Sequence, residues 1–143
     1  MIQVVAVVTA GLLSGVYTAF STVVIPALNR LGDHEATAAM VRINRKAERG
    51  PFILLFASAA LAATGLAVAA VPRGTGVDLA IAGASLASTV VTVAVNVPLN
   101  RRLDRDGAPF WAEYSHRWRA ANTVRAGCAA IAVIVAGAHW VDS

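Results

Sequence analysis

Long apolar stretches alternate along the chain with short segments that carry nearly all of its charge. Each stretch exceeds the roughly 20 residues that a helix needs to cross a hydrocarbon core about 30 Å thick. A helix is also the open-chain structure that satisfies every backbone polar group in lipid. The pattern predicts an all-α fold, a four-transmembrane-helix bundle that forms a single integral membrane domain over residues 1–143. The predicted spans cover approximately residues 3–28, 51–72, 78–100 and 118–141.

The segments between the predicted spans differ in length and structure. Residues 73–78 form a short glycine-rich turn, so the second and third spans are predicted to be an antiparallel hairpin. The first loop is longer and predicts a short extra helix over about residues 35–49, which Gly50 and Pro51 end or kink. The third loop is predicted over residues 101–107.

Composition and charge indicate where the chain resides and how it is oriented. Hydrophobic residues make up 57% of the chain and charged residues only 14%, against about 25% charged residues in soluble domains. Of the twelve Lys and Arg residues, five lie between the first and second spans and five between the third and fourth. The positive-inside rule therefore places loops one and three in the cytoplasm and both termini outside, in a protein of the cytoplasmic membrane.

The same charge pattern also bears on whether the first apolar stretch is a signal peptide and on whether nucleic acid is a partner. The first apolar stretch has no basic residue ahead of it and is longer than a signal-peptide core, so it is predicted to be a retained span. The basic residues flank spans instead of forming a separate domain, so no nucleic-acid partner is expected.

Polar and aromatic side chains recur at helical spacing on the third and fourth spans. An amide or guanidinium in hydrocarbon is costly unless it is paired, so these side chains indicate a cavity. Antiparallel topology brings the two faces to similar depth in the cytoplasmic half, where Tyr17, Ser21 and Asn44 can form further walls. The faces comprise Ser85, Thr89, Thr92, Asn96 and Asn100 on the third helix and Trp111, Tyr114, Trp118, Asn122 and Arg125 on the fourth.

Each of these features also has a purely structural interpretation. Arg125 can extend toward the interface, and the tryptophans can form an interfacial belt. Asn96 and Asn122 can be interhelical hydrogen bonds, and Glu48 can be a solvated surface charge. A G-x-x-x-G pair in the first span indicates close helix packing, which does not distinguish packing within one chain from a homo-oligomer.

The sequence carries no clear pattern of metal or cofactor ligands. The three histidines are scattered, and no two of them are spaced to lie on one helix face. No cofactor is predicted, while a haem, a flavin or a metal held by backbone or by a partner chain is left open.

Three sequence blocks occur in a recognisable order. They are M-x-x-I-N ending at Asn44, N-V-P-L-N beginning at Asn96, and W-x2-Y-x3-W-x3-N-x2-R ending at Arg125. Together they resemble the DUF1772, or anthrone oxygenase-like, family of small four-helix membrane proteins, over nearly the whole chain. The resemblance implies a membrane oxygenase that oxidises an anthrone-like aromatic polyketide with dioxygen and without a cofactor.

That chemistry needs an apolar slot, aromatic walls, donors for an enolate oxygen and a base. Asn96, Asn122 and Arg125 are the candidate catalytic donors, and either Glu48 or His116 is the candidate base. The implied partner is a lipophilic small molecule in the bilayer. The candidate substrate-binding residues are Tyr17, Asn44, Thr92, Asn100, Trp111, Tyr114 and Trp118.

Two other classes of function stay open at this point. One is a non-catalytic membrane protein that binds a quinone or another lipophilic molecule, or that serves as a partner subunit. The other is a redox enzyme with an unrecognised cofactor. The preference for Arg over Lys and the abundance of Ala indicate a GC-rich bacterial source.

Overall fold

The computed structural model describes residues 1–141 of the chain. Two π-helical segments, Phe20–Val24 and Thr92–Asn96, join α1 to α2 and α5 to α6 without a break in the helical path. Short 3-10 turns, Val71–Arg73 and Ala108–Phe110, precede α5 and α7. The α-helices are α1 (Ile2–Ala19), α2 (Ile25–Leu28), α3 (Asp33–Ala47), α4 (Pro51–Ala70), α5 (Gly76–Val91), α6 (Val97–Asp106) and α7 (Trp111–Val141).

Four continuous helical stretches are long and apolar enough to cross a membrane. The short helix α3 lies between the first and second of them, as the sequence predicts. The predicted four-helix bundle with an extra helix in the first loop is therefore confirmed, and it is compatible with an integral membrane protein. The four stretches are Ile2–Leu28, Pro51–Arg73, Gly76–Asp106 and Ala108–Val141.

The bundle is a closed ring in which α7 and α4 each pack against both α1 and α5. At the end that holds the chain termini, the core consists largely of small residues, including Ala6, Ala10, Ala132 and Ala136. Small side chains let helix backbones approach closely, so this end is tightly filled. At the opposite end, which we call the basic end because the Arg-rich α3 and α6 lie there, the core is aromatic and larger, with Trp111, Tyr114 and Trp118.

One residue separates the end of each π-helical segment from a following proline. Pro26 follows the first segment and Pro98 follows the second. Proline lacks a backbone N–H, so the preceding turn loses its ordinary hydrogen bond and can accommodate the extra residue of a π-turn. The wider turns carry Ser21 in the first span and Thr92 with Asn96 in the third, all buried. A uniform 3.6-residue period predicts none of this local widening.

The third span is longer at the basic end than the sequence pattern predicts. Helix α6 continues six residues past Asn100 to Asp106, where a loop was predicted over residues 101–107. Leu99 and Leu103 bury one face of α6, and Arg102 pairs with Asp106 one turn along the helix at 3.1 Å. Packing and this ion pair keep the segment helical although it is highly charged.

Gly107 ends α6 with backbone angles of φ 70° and ψ −153°. This region of backbone conformation is open essentially to glycine alone.

We therefore expect Gly107→Ala to lower the free energy of unfolding by about 1–3 kcal/mol. The value can be measured by SDS-induced unfolding in mixed micelles. The matched control is Gly83→Ala in α5, where an added Cβ meets open space and helix propensity favours Ala. Equal stability of the two variants would contradict this assignment.

Candidate functional site

A cavity of about 270 Å³ lies between the spans at the basic end of the bundle. We call it the inner cavity. Its walls are mostly aliphatic and aromatic, and all four spans together with α3 contribute to them. It is lined by Val16, Tyr17, Phe20, Ile43, Asn44, Ala47, Glu48, Phe52, Ile53, Phe56, Thr92, Asn96, Val97, Asn100, Trp118 and Arg125.

Arg125 lies in the wall of the inner cavity and is only 6% exposed. Its Nε and Nη2 donate to Asn122 Oδ1 at 2.9 and 2.7 Å, and its Nη1 donates to Thr92 Oγ1 at 3.1 Å. The guanidinium carbon lies 3.9 Å from the ring centroid of Tyr17 and 5.2 Å from that of Trp118. The side chain is therefore held inside the bundle and does not extend to an interface.

No carboxylate pairs with Arg125 among residues 1–141. Its charge is compensated by amide and hydroxyl oxygens and by two aromatic rings, which interact with cations through their electron-rich faces. A guanidinium has five N–H groups, and within the described part of the chain two of them find no acceptor. Arg125 consequently brings a positive charge and spare hydrogen-bond donors to the wall of the inner cavity.

Asn122 is fully buried and supports Arg125 from behind without lining the inner cavity. Its Nδ2 donates to the Tyr17 carbonyl at 2.6 Å and to Ser21 Oγ at 2.7 Å. Its Oδ1 accepts both bonds from Arg125. Because each half of the amide has fixed partners, Asn122 locks the position of the guanidinium relative to the first span. It is a positioning residue in this geometry.

Asn96 and Trp118 add polar atoms without partners to the cavity wall. Asn96 Nδ2 donates to the Trp118 carbonyl at 3.3 Å. Asn96 Oδ1 and Trp118 Nε1 are buried, and neither has a hydrogen-bond partner among the residues that the structure describes. Buried polar atoms are nearly always bonded in native proteins, so these two unpaired atoms are an exception within residues whose side chains line the inner cavity.

An aromatic series along α7 supports the basic end of the cavity. The ring centroids of Trp111 and Tyr114 are 5.7 Å apart, and those of Tyr114 and Trp118 are 6.3 Å apart. The Tyr114 hydroxyl donates to Asn100 Oδ1 at 3.0 Å and accepts from Asn44 Nδ2 at 3.5 Å. This chain of bonds connects α3, α6 and α7 and fixes the two asparagines that line the cavity.

Most of the residues predicted from the sequence meet at this site. Asn122 and Tyr114 lie behind the wall, bonded to lining residues. Trp111 packs against Tyr114, and His116 is exposed on α7 and lines no part of the cavity. Eight of the predicted residues line the inner cavity itself: Tyr17, Asn44, Glu48, Thr92, Asn96, Asn100, Trp118 and Arg125.

The aromatic wall contributed by α4 was missed by the sequence pattern. Phe52 and Phe56 line the cavity one turn apart, and Phe52 packs edge-on against Tyr17 with ring centroids 6.3 Å apart. Phe20 in the first span lies 5.8 Å from Trp118. In a span that is apolar all round, helical periodicity does not distinguish a cavity wall from a lipid-facing surface. The four-residue spacing of Phe52 and Phe56 is the one signal in the sequence for this aromatic wall.

Within residues 1–141, no group of three or more His, Cys, Asp or Glu side chains is arranged to hold a metal ion. The polar groups of the inner cavity are instead amides, hydroxyls, one guanidinium and one carboxylate. Such groups can donate to and accept from an oxygen-bearing organic ligand.

We expect Asn122→Ala to lower stability by at least about 2 kcal/mol, because it leaves two N–H groups of a buried cation without an acceptor. The measurement is SDS-induced unfolding of the purified protein. The control is Ser14→Ala, which removes one neutral bond of 3.0 Å to the Ala126 carbonyl and should cost about 1 kcal/mol or less. A smaller loss for Asn122→Ala than for the control would contradict the positioning role.

Comparison with known proteins adds one finding. Residues 40–135, more than half of the chain, match the family model described as Anthrone oxygenase. The matched region includes Asn44, Asn96, Trp118, Asn122 and Arg125, so it covers most of the polar side of the site. No curated protein and no solved structure matches the chain.

Proposed function

Because the chain belongs to the anthrone oxygenase family, we propose that it oxidises a flat, lipophilic aromatic ketone of the anthrone class with dioxygen. The reaction needs no bound cofactor in this proposal. The inner cavity, at about 270 Å³, is near the lower limit of roughly 300–1,000 Å³ for pockets that hold drug-sized ligands. It suits a small, flat ring system that enters between apolar walls.

The proposed reaction removes two hydrogens from one ring carbon and places one oxygen atom there. A proton leaves the methylene group that lies across the central ring from the ketone, and its C–H electron pair is delocalised through the aromatic rings onto the ketone oxygen as an enolate. The enolate carbon reacts with dioxygen, and the resulting peroxide loses water as the second C–H bond breaks. One substrate molecule and one dioxygen thus give one quinone and one water. Dioxygen is the only oxidant required.

The proposal depends most on Arg125. A buried guanidinium with no carboxylate partner and two free N–H groups fits an anionic oxygen. The enolate carries such an oxygen, whereas the neutral ketone does not, so Arg125 would stabilise the charge that develops in the reaction. Trp118, Phe20 and Phe52 supply faces and edges against which aromatic rings stack.

The orientation belongs to the same proposal. The basic end of the bundle carries the Arg-rich segments of α3 and α6, and the positive-inside rule directs such segments to the cytoplasm. We place the inner cavity in the cytoplasmic half of a bacterial plasma membrane, with both termini outside. A lipophilic substrate would then reach the cavity from the inner leaflet.

Oxygen uptake with an anthrone substrate tests the proposed function. We expect the purified protein in detergent to consume dioxygen and form the quinone, and Arg125→Ala to lower kcat/KM by about 100-fold or more, the usual effect of removing an oxyanion donor. Arg119→Ala is the matched control, because Arg119 is exposed on the same helix and should leave kcat/KM unchanged.

Three results would contradict this proposal. One is a wild-type protein that binds the anthrone, measured by quenching of tryptophan fluorescence, without oxygen uptake; the chain would then be a binding protein. Another is equal activity of the Arg125 and Arg119 variants. The third is loss of folded Arg125→Ala protein in proportion to activity, which would indicate a structural role alone.

An absorbance spectrum tests the cofactor-free part separately. We expect the active, purified protein to absorb only as its three tryptophans and two tyrosines do, with no Soret or flavin band. Activity should also survive dialysis against a metal chelator. A cofactor band that scales with specific activity would replace this mechanism with a redox enzyme that holds a cofactor.

A further inference from the structure

A second cavity of about 210 Å³ adjoins the inner cavity at the basic end. We call it the outer cavity. The two share Asn44, Glu48 and Asn100 in their walls, so these three residues stand at the junction between them. The outer cavity is lined by Val41, Asn44, Arg45, Glu48, Asn100, Arg101 and Asp104.

The two cavities differ sharply in chemistry. The wall of the outer cavity is mainly polar, and its charged residues Arg45, Glu48, Arg101 and Asp104 are all exposed. It therefore communicates with water at the basic end. The inner cavity is mainly apolar, with Arg125 as its one cation. A group at the junction can face an apolar ligand on one side and solvent on the other.

Among residues 1–141, Glu48 is the one carboxylate that lines both cavities. The other carboxylate of the outer cavity, Asp104, forms an ion pair with Arg45 at 2.7 Å. Glu48 has no ion-pair partner among residues 1–141. Its carboxylate is therefore available to accept a proton.

Two other groups that could accept a proton, His116 and the Tyr114 hydroxyl, lie outside both cavities. His116 is exposed on α7 and lines neither cavity. The Tyr114 hydroxyl is committed to Asn100 and Asn44, and it lines neither cavity. Among the residues predicted as base from the sequence, Glu48 alone reaches the space where the substrate would lie.

We propose that Glu48 accepts the methylene proton of the substrate and that the outer cavity is the path by which this proton exchanges with cytoplasmic water. This inference rests on the proposed function. In the step, the C–H bond breaks, its proton bonds to a Glu48 carboxylate oxygen, and its electron pair becomes the enolate whose oxygen faces Arg125. Glu48 then loses this proton to water in the outer cavity. The peroxide anion formed with dioxygen takes up one proton from the same water, and it loses a water molecule as its O–O bond and the second C–H bond break.

Proton transfer removes one negative charge and creates another, and the site keeps these two positions apart. Neutralising Glu48 removes a negative charge at the junction, while the new negative charge forms at the enolate oxygen beside Arg125. The cation thus favours transfer toward Glu48, as general base catalysis in a site of low polarity requires. Water in the outer cavity can re-equilibrate Glu48 with the cytoplasm between turnovers.

The test compares Glu48→Gln with Glu48→Asp and with Glu35→Gln. The first variant keeps shape and removes the base, the second keeps a carboxylate on a shorter side chain, and the third alters an exposed glutamate at the start of α3. We expect kcat to fall about 100-fold or more in Glu48→Gln, with partial activity in Glu48→Asp and no change in Glu35→Gln. Anthrone affinity, measured by tryptophan fluorescence, should stay within about threefold of wild type.

A pH series distinguishes a base from a structural residue. Once the solution pH is high enough to ionise the anthrone itself, the enolate enters ready-made and no base is needed. The ratio of wild-type to Glu48→Gln activity should therefore fall toward one as pH rises. A ratio that is independent of pH would overturn the proposal, as would a Glu48→Gln kcat within about threefold of wild type. A wild-type protein without oxygen uptake would instead refute the proposed function, so the two failures are distinguishable.

Discussion

The burial of one cation without a carboxylate is the constraint on which this structure depends. A guanidinium inside an apolar bundle is costly unless its hydrogen bonds are satisfied. Arg125 meets that need with Asn122, Thr92 and the ring of Tyr17, which lie on three different spans. Each of these groups is neutral, so the charge has no counter-ion among residues 1–141. The same contacts that compensate for the cost of burying the Arg125 charge in lipid fix the first, third and fourth spans at one depth.

The π-helical segments supply the geometry that this network requires. Thr92, which accepts from Arg125, begins the second segment, and Ser21, which accepts from Asn122, lies in the first. An extra residue per turn rotates the side chains that follow and widens the helix. At the end of the bundle opposite the basic end, the buried faces of the helices are rich in alanine, so the helices pack closely. The cavity thus lies where the helices are widened and the side chains are aromatic.

The sequence predicts the architecture well because lipid imposes simple rules on length and polarity. The four spans, the helix α3 and the buried face of α7 from Trp111 to Arg125 all follow from apolar runs and helical spacing. Three features escape those rules. The π-turns shift the register without a change in hydrophobicity, and α4 is too uniformly apolar to reveal Phe52 as a cavity wall. Helix α6 stays helical, although it is highly charged, because one face is buried and Arg102 pairs within the helix and with Glu113 of α7. His116 shares a helix with Arg125 but not its face, and this places it outside the cavity.

The absence of a carboxylate beside Arg125, within the part of the chain that the structure describes, has a consequence for catalysis. A resident carboxylate would neutralise the cation equally before and during the reaction, and so would contribute nothing to the difference between the two states. Neutral partners hold the guanidinium in place and leave its field available to a charge that appears only after a proton has left the substrate. Removing that proton to a separate, hydrated carboxylate at the cavity junction avoids placing two negative groups side by side. Separation of the cation from the anion therefore serves both the stability of the empty site and the energetics of the proposed reaction.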